Sequence, residues 1–212
     1  MPCVAKKYEI TRNEFKLNDI KPVDYVLTTR ELARLFINNK IDLKTIKPEK
    51  ADLPFGAPSG AGVIYGASGG VMESALRAAM SILRCRSKKI AFKRIRGQQG
   101  IKTAKVKIGS KEIKIAAVNG IDNAKKILED LKQNPRAYDC VEVMACPGGC
   151  VGGGGQPVPT NSKIRQKRAQ GLYRIDNKMK IKTATQNPII KKMYKEILNN
   201  EENKPASLSI SS

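Results

Sequence analysis

The sequence predicts an α/β fold: a mostly parallel sheet flanked by helices, followed by a C-terminal helical extension. Three observations carry that expectation. Strand-like and helix-like segments alternate along the chain, the pattern of layered α/β domains. The run Val141-Glu142-Val143-Met144-Ala145 reads as a buried-type strand and leads straight into a glycine loop. From about Ser162 onward only helical signals remain.

The elements follow in order. Val23–Leu27 has strand composition, and Thr28 or Thr29 then caps a helix over Arg30–Asn38 with Leu32, Leu35 and Phe36 on its apolar face. Residues 44–62 are loop-like, punctuated by Pro48, Pro54 and Pro58. Val71–Leu83 is helical, with Met72, Ala75, Leu76 and Ala79 on one side. Lys105–Ile108 and Glu112–Ala117 alternate polar and apolar residues around Gly109-Ser110, which predicts a hairpin. Ile121–Leu131 is a helix with Asp122 as its cap, and a basic helix begins near Ser162. The last helix, Pro188–Leu198, opens on a proline suited to a first helical turn. Residues 201–212 form a polar, flexible tail. The domain expectation is one α/β lobe over 1–158 and a helical segment over 159–200.

Composition bounds the chemistry. A chain of 212 residues with 41% apolar content buries a core without disulfides or a structural metal. There is no His, which excludes Ser-His-Asp and Cys-His catalysis and any His-ligated metal. No apolar run approaches the ~18 residues of a spanning helix, and the N-terminal residues lack a signal-peptide stretch. Five irregularly spaced Cys do not resemble a secreted disulfide framework, so a reducing cytoplasm is the expected location. The net charge is +21, and 12 Lys/Arg against the single acid Glu112 fall between Arg84 and Lys114. Such a run reads either as a nucleic-acid footprint or as a solvated surface. Phe92 is its one aromatic, which favours the surface and leaves nucleic acid an unfavoured partner.

Three segments can carry chemistry. Cys146-Pro147-Gly148-Gly149-Cys150 places two thiols on a glycine turn directly after the predicted strand, and Gly152–Gly155 follow. Thiolates suit zinc, Cu(I) and iron–sulfur clusters; incidental thiols at a strand end are the plainer reading. Gly60-Ala61-Gly62 through Gly66-Ala67-Ser68-Gly69-Gly70 open a helix, either as an anion site or as a tight turn for helix packing. They match neither the dinucleotide fingerprint nor a P-loop. Cys3 lies three residues before Lys6, a cation that favours thiolate.

Together these segments resemble the iron-only (FeFe) hydrogenases. Met1-Pro2-Cys3-Val4-Ala5-Lys6-Lys7-Tyr8-Glu9 is similar to the family's second cluster motif, and EVMACPGGCVGGGGQP to its third. DYVLTTRELARL, SGAGVIYGASGGVMESALR and AAVNGIDNAKKILE also resemble family segments, and LYRID with NPIIKKMYKEIL resembles its small-subunit helices. The resemblance implies one lobe of the catalytic domain and an H-cluster, a four-iron cubane bridged to a di-iron unit with CO, cyanide and dithiolate ligands. It implies Cys3 and Cys146 as cubane ligands and Cys150 as the thiolate bridging the two parts. Lys6 would hydrogen-bond a cyanide ligand, and Met144 would pack beside the di-iron unit. Pro2, Tyr65, Gly66 and Ser68 would line the same site, Tyr65 standing where relatives usually carry Phe. The implied reaction is reversible reduction of protons to H2. Implied partners are a ferredoxin or other electron carrier and the maturation proteins that build the cluster.

The match is partial. The family's first motif, with two adjacent Cys before Pro-Gly, has no counterpart here. Three of the four cubane thiolates are therefore assigned, and a first lobe is expected from elsewhere. Cys85 and Cys140 are read as packing residues. A truncated reading of a longer gene, a split subunit, and a relic that binds iron–sulfur, nucleic acid or a partner without catalysis are the three alternatives. The chain by itself is expected to be inactive.

Overall fold

The structure is a computed structural model that describes residues 2–49, 52, 58–85 and 95–198. The tail 201–212 and residues 86–94 of the basic run lie outside the described residues.

Three strands form the sheet, β1 (Ile101–Ile108), β2 (Lys111–Asn119) and β3 (Cys140–Met144), in the order β1-β2-β3. β1 and β2 are the predicted hairpin, longer at the end away from the turn, with Ile108 opposite Lys111 and Ile101 opposite Val118. β2 and β3 run parallel, Ile115 opposite Cys140 through Asn119 opposite Met144. A parallel pair needs a long crossover, and helix α5 (Ile121–Gln133) supplies it. The α/β class holds, with one antiparallel and one parallel pairing.

β2 is buried continuously from Ile115 to Asn119 because the sheet is covered on both faces. Ile115 and Ala117 join Met72, Leu76, Ile95, Val106 and Ile108 in one cluster, against helix α4 (Gly70–Ile82). Ala116 and Val118 join Ile127 of α5 on the other face, with Ala124, Leu131, Tyr138 and Val141 around them. Before the sheet come α1 (Ala5–Glu9), α2 (Thr29–Asn38) and α3 (Gly60–Ile64). After it come α6 (Ser162–Lys178) and α7 (Pro188–Met193). Helix α6 lies against α3, so closely that a Cβ on Gly60 would stand 2.0 Å from Asp176 Oδ1.

Several expectations change. Val23–Leu27 is not a strand: the chain bends at Asp24 and the segment pairs with neither edge of the sheet. The α2 face at Leu32, Leu35 and Phe36 is poorly covered, with Leu32 and Leu35 exposed. On α4, Ala75 is exposed and Glu73 is buried instead, because Arg77 and Arg96 hold its carboxylate. Asp122 sits in the first turn of α5 while Gly120 occupies the cap position without a side-chain bond. The last helix is α-helical only to Met193 and continues as a π-helical turn over Tyr194–Leu198. No helix among the described residues is long and apolar enough to cross a membrane. The described part of the basic run splits in two: Lys105, Lys107, Lys111 and Lys114 lie exposed on the hairpin, whereas Lys102 is buried.

Candidate cluster-binding site

The carboxyl ends of β2 and β3 carry the site. Asn119 ends β2 and Met144 ends β3, opposite each other in register, and Cys146–Cys150 follows at once. Open α/β sheets bind ligands at this edge. Gly149 there has φ +92, and a Cβ on it would stand 2.7 Å from both Met144 Sδ and Ser68 N. Only glycine fits that approach. The Gly66–Ser68 turn runs antiparallel to this loop: Ser68 N donates to Gly148 O at 3.0 Å and Val151 N to Gly66 O at 2.9 Å.

The N-terminal segment closes the site from the other side. Gly155 N donates to Pro2 O at 3.1 Å. Helix α2 grips the same glycine loop: Arg30 N donates to Gly155 O at 2.9 Å, and the Arg30 guanidinium to the carbonyls of Gly154 and Gln156 at 2.8–3.1 Å. Cys3 is thereby held near enough to Cys150 for the charges of the two thiols to interact. The Cys150 thiol titrates above its ordinary value, first because the surrounding chain desolvates it, then because Cys146 and Cys3 repel a further negative charge.

A Cβ on Gly153 would stand 2.0 Å from Pro2 O. Gly153→Ala should therefore push the N-terminal segment off the loop, at about 1–3 kcal/mol of overpacking. The expected result is faster alkylation of Cys3 than in the parent chain; an unchanged rate would refute it.

Glu31 fastens this segment further. Its carboxylate accepts from Thr28 N at 2.8 Å and Thr28 Oγ1 at 2.9 Å, completing a capping box on α2, and pairs with Lys7 Nζ at 3.0 Å. These bonds, Thr28 N–H foremost and Lys7 next, hold Glu31 down at about 2 against its ordinary 4.5. A lowered carboxyl pKa stabilises the fold fully above pH 4.5 and loses that contribution as pH falls from 4.5 to about 2. A melting-temperature profile should drop across that window in the parent and less in Glu31→Gln.

The remaining predicted residues fall around the site. Met144 Sδ lies against Gly149. Ser68 is buried, and Gly66 and Tyr65 precede it on the turn. The Tyr65 hydroxyl has a partner, Ser74 Oγ, at 3.3 Å. Lys6 reaches Glu9 instead of the thiols, with Nζ–Oε1 at 2.6 Å. Cys85 packs against the α4 face of the core and Cys140 is exposed at the start of β3, both away from the thiol loop.

Do these residues fit a cubane? The donors are soft thiols, the right chemistry for iron. The glycine backbone beside them leaves no room for side chains. Among the described residues no three Cys, Asp or Glu stand close enough to hold a single ion. A cubane binds each thiolate to a different iron and needs them further apart. By donor chemistry the three thiols match three of a cubane's four ligands, the fourth to come from elsewhere.

The comparisons agree with that chemistry. The model of the iron only hydrogenase large subunit, C-terminal domain, matches residues 1–154, and that of the iron hydrogenase small subunit matches residues 162–207. The chain belongs to the iron-only hydrogenase family. It is 42% identical over 200 residues to the NADP-reducing hydrogenase subunit HndD of Solidesulfovibrio fructosivorans, covering 93% of this chain and 34% of that protein. A solved HydA1 hydrogenase from Chlamydomonas reinhardtii superposes with a TM-score of 0.71 at 33% identity, over 94% of this chain and 58% of that one. The cytosolic Fe-S cluster assembly factor narfl of Danio rerio is 30% identical over 186 residues, 84% of this chain and 45% of that protein. The chain spans about a third of the length of the hydrogenases it matches among curated proteins.

Within this hydrogenase-family chain, three polar residues behind the thiol loop escaped the sequence reading. Glu142 is buried and accepts from Gly69 N at 2.5 Å and Met72 N at 2.7 Å, a carboxylate on the N-terminus of α4. Asn119 Oδ1 accepts from Gly148 N at 2.7 Å. Lys102 Nζ donates to Ser68 O at 2.9 Å, and burial pushes its pKa down to about 8 against the opposing pull of Glu142. A signal existed for Lys102: in a period of two it shares the inward face of β1 with Val106 and Ile108.

Proposed function

We propose that this chain forms the C-terminal part of an iron-only hydrogenase catalytic domain, which interconverts protons and H2 at an H-cluster. The observation that carries the reading is the convergence of Cys3, Cys146 and Cys150 on the carboxyl edge of the sheet, between two glycine loops. Cys3 and Cys146 would hold the cubane and Cys150 would bridge it to the di-iron unit. When bound, the H-cluster supplies the redox chemistry of proton reduction. The chain's own residues bind and shape it. The Gly148–Gly149 and Gly152–Gly155 backbone lets the thiolates approach closely, and Met144, Pro2 and the Tyr65–Ser68 turn would form one wall of a site that the first lobe would have to close. Lys6, freed from Glu9, would turn its ammonium toward an anionic ligand.

Partners follow from the uncovered surface. Leu17, Ile20, Tyr25, Leu27, Leu43 and Ile46 are all more than half exposed. Such a surface fits the first lobe of the domain, which would bring the fourth thiolate. A ferredoxin-like carrier would deliver electrons, and maturation proteins would install the di-iron unit.

A second reading has its own observation. The assembly-factor relative covers 84% of this chain, so a non-catalytic iron–sulfur role in cluster assembly competes with hydrogenase activity. The 42% identity to a hydrogenase against 30% to the assembly factor favours the first. The deciding experiment is infrared spectroscopy of the protein matured together with its first lobe. Bands of CO and cyanide bound to iron are expected. Cubane absorption without those bands would move the assignment to the assembly role.

A further inference from the structure

Lys102 is 3% exposed, on a strand face otherwise apolar, and its ammonium forms no ion pair among the described residues. A desolvated cation whose nearest counter-charge, Glu142, acts on it without a direct ion pair is costly, and an aliphatic side chain would fill the same core position more cheaply. What Lys102 touches gives the reason. Its Nζ donates to Ser68 O at 2.9 Å, Ser68 Oγ at 3.1 Å and Gly97 O at 3.2 Å. Asn119 Nδ2 donates to the same Ser68 Oγ at 3.2 Å and to Gln99 O at 2.7 Å. Ser68 and Asn119 then hold the two sides of one residue. Ser68 N donates to Gly148 O at 3.0 Å, and Gly148 N donates to Asn119 Oδ1 at 2.7 Å. Gly148 is the centre of the Cys146–Cys150 loop.

We propose that Lys102 is a positioning residue for the thiolate loop: its ammonium fixes Ser68, and Ser68 with Asn119 fixes Gly148, so that Cys146 and Cys150 face a cluster in one geometry. The proposal deepens the hydrogenase reading and rests on it only for the identity of the cluster. Gly148 has φ +78, a conformation glycine adopts freely, so the loop has little intrinsic preference for its bound shape. External bonds must therefore define it. The relay has a second consequence. A buried cation behind the loop favours the more negative, reduced state of a cluster in front of it.

Backbone hydrogen exchange on the full-length protein, before cluster loading, tests the relay directly. Lys102→Met is expected to speed exchange at Gly148 and Ser68 about tenfold or more, while amides of α5 stay as protected as in the parent. Ser68→Ala removes the hydroxyl contacts and keeps the Ser68 N–Gly148 O bond, and should speed Gly148 exchange by a smaller factor; it decides the matter if Lys102→Met does not fold. Unchanged exchange at Gly148, or equal acceleration throughout α5, overturns the proposal. After anaerobic loading with iron and sulfide, the cubane midpoint potential should move negative in Lys102→Met. An unchanged potential beside accelerated Gly148 exchange overturns the link from loop to cluster. A parent protein that takes up no iron even when loaded together with its first lobe overturns the hydrogenase reading, and the exchange result still decides the relay.

Discussion

Cys150→Ser is expected to abolish hydrogen evolution by the matured, complete domain. The loss should exceed the ~10–100-fold effect of removing a hydrogen-bond partner around a metal ligand, because the ligand itself is replaced. Serine is close in size but offers a hard, protonated oxygen where iron favours thiolate. The loop does not depend on the thiol for its shape. Cys150 O accepts from Gly153 N at 3.0 Å and from Gln156 Nε2 at 3.2 Å, and the neighbouring Val151 N reaches Gly66 O. The variant should therefore fold with the parent's melting temperature while losing the CO and cyanide bands. Cys140→Ser, exposed at the start of β3, serves as the control and keeps parental rates. A Cys150→Ser enzyme with parental hydrogen evolution would remove Cys150 from the bridging role.

The parts of this fold legible in the sequence are those whose cause is local. Thr28 and Glu31 form a capping box with both partners in one four-residue window, and α2 starts where they place it. Gly109-Ser110 turns a hairpin between alternating strands. The glycines and thiols of the 146–155 segment narrow the chemistry to thiolate ligation or incidental thiols, and the resemblance to the hydrogenases, not the spacing, points to iron. What the sequence hid depends on distant partners. Val23–Leu27 has strand composition, but a strand needs a partner, and this segment pairs with neither edge of the three-stranded sheet. Ala75 and Glu73 exchange places relative to a hydrophobic reading of α4, because two arginines make burial of Glu73 tolerable. Lys102 looked like one more cation in a basic run, and its burial follows from acceptors at Ser68 and Gly97. Lys6 was assigned by resemblance to a cluster ligand's side; in the chain by itself the nearest anion, Glu9, holds it.

Arg77→Met should be the most destabilising single change in the helical layer. Arg77 joins two buried acids. Its guanidinium donates to Asp176 Oδ1 and Oδ2, each at 2.8 Å, and to Glu73 one turn earlier on α4. Glu73 is fully buried, and Asp176 is 1% exposed. Burial pushes Asp176 up, yet Arg77 outweighs it and holds the carboxyl below its ordinary value, while the two acids raise Arg77 in turn. Removing the cation leaves Arg96 to satisfy Glu73, at 2.6 and 2.8 Å, with its plane stacked on the Tyr173 ring. Among the described residues Asp176 then keeps only the longer-range pull of Lys182 and Arg96. Breaking one side of a buried pair typically costs about 3–5 kcal/mol, which for a chain of this size lowers the melting temperature by roughly 10 °C. The site should feel the change, because Asp176 anchors α6 beside α3 and Arg168 of α6 donates to Val151 O at 3.0 Å on the thiol loop. Asp176→Asn alone should cost less, and the double variant should recover part of the Arg77→Met loss. A double-variant cost equal to the sum of the single costs would show that the two groups do not act as a pair.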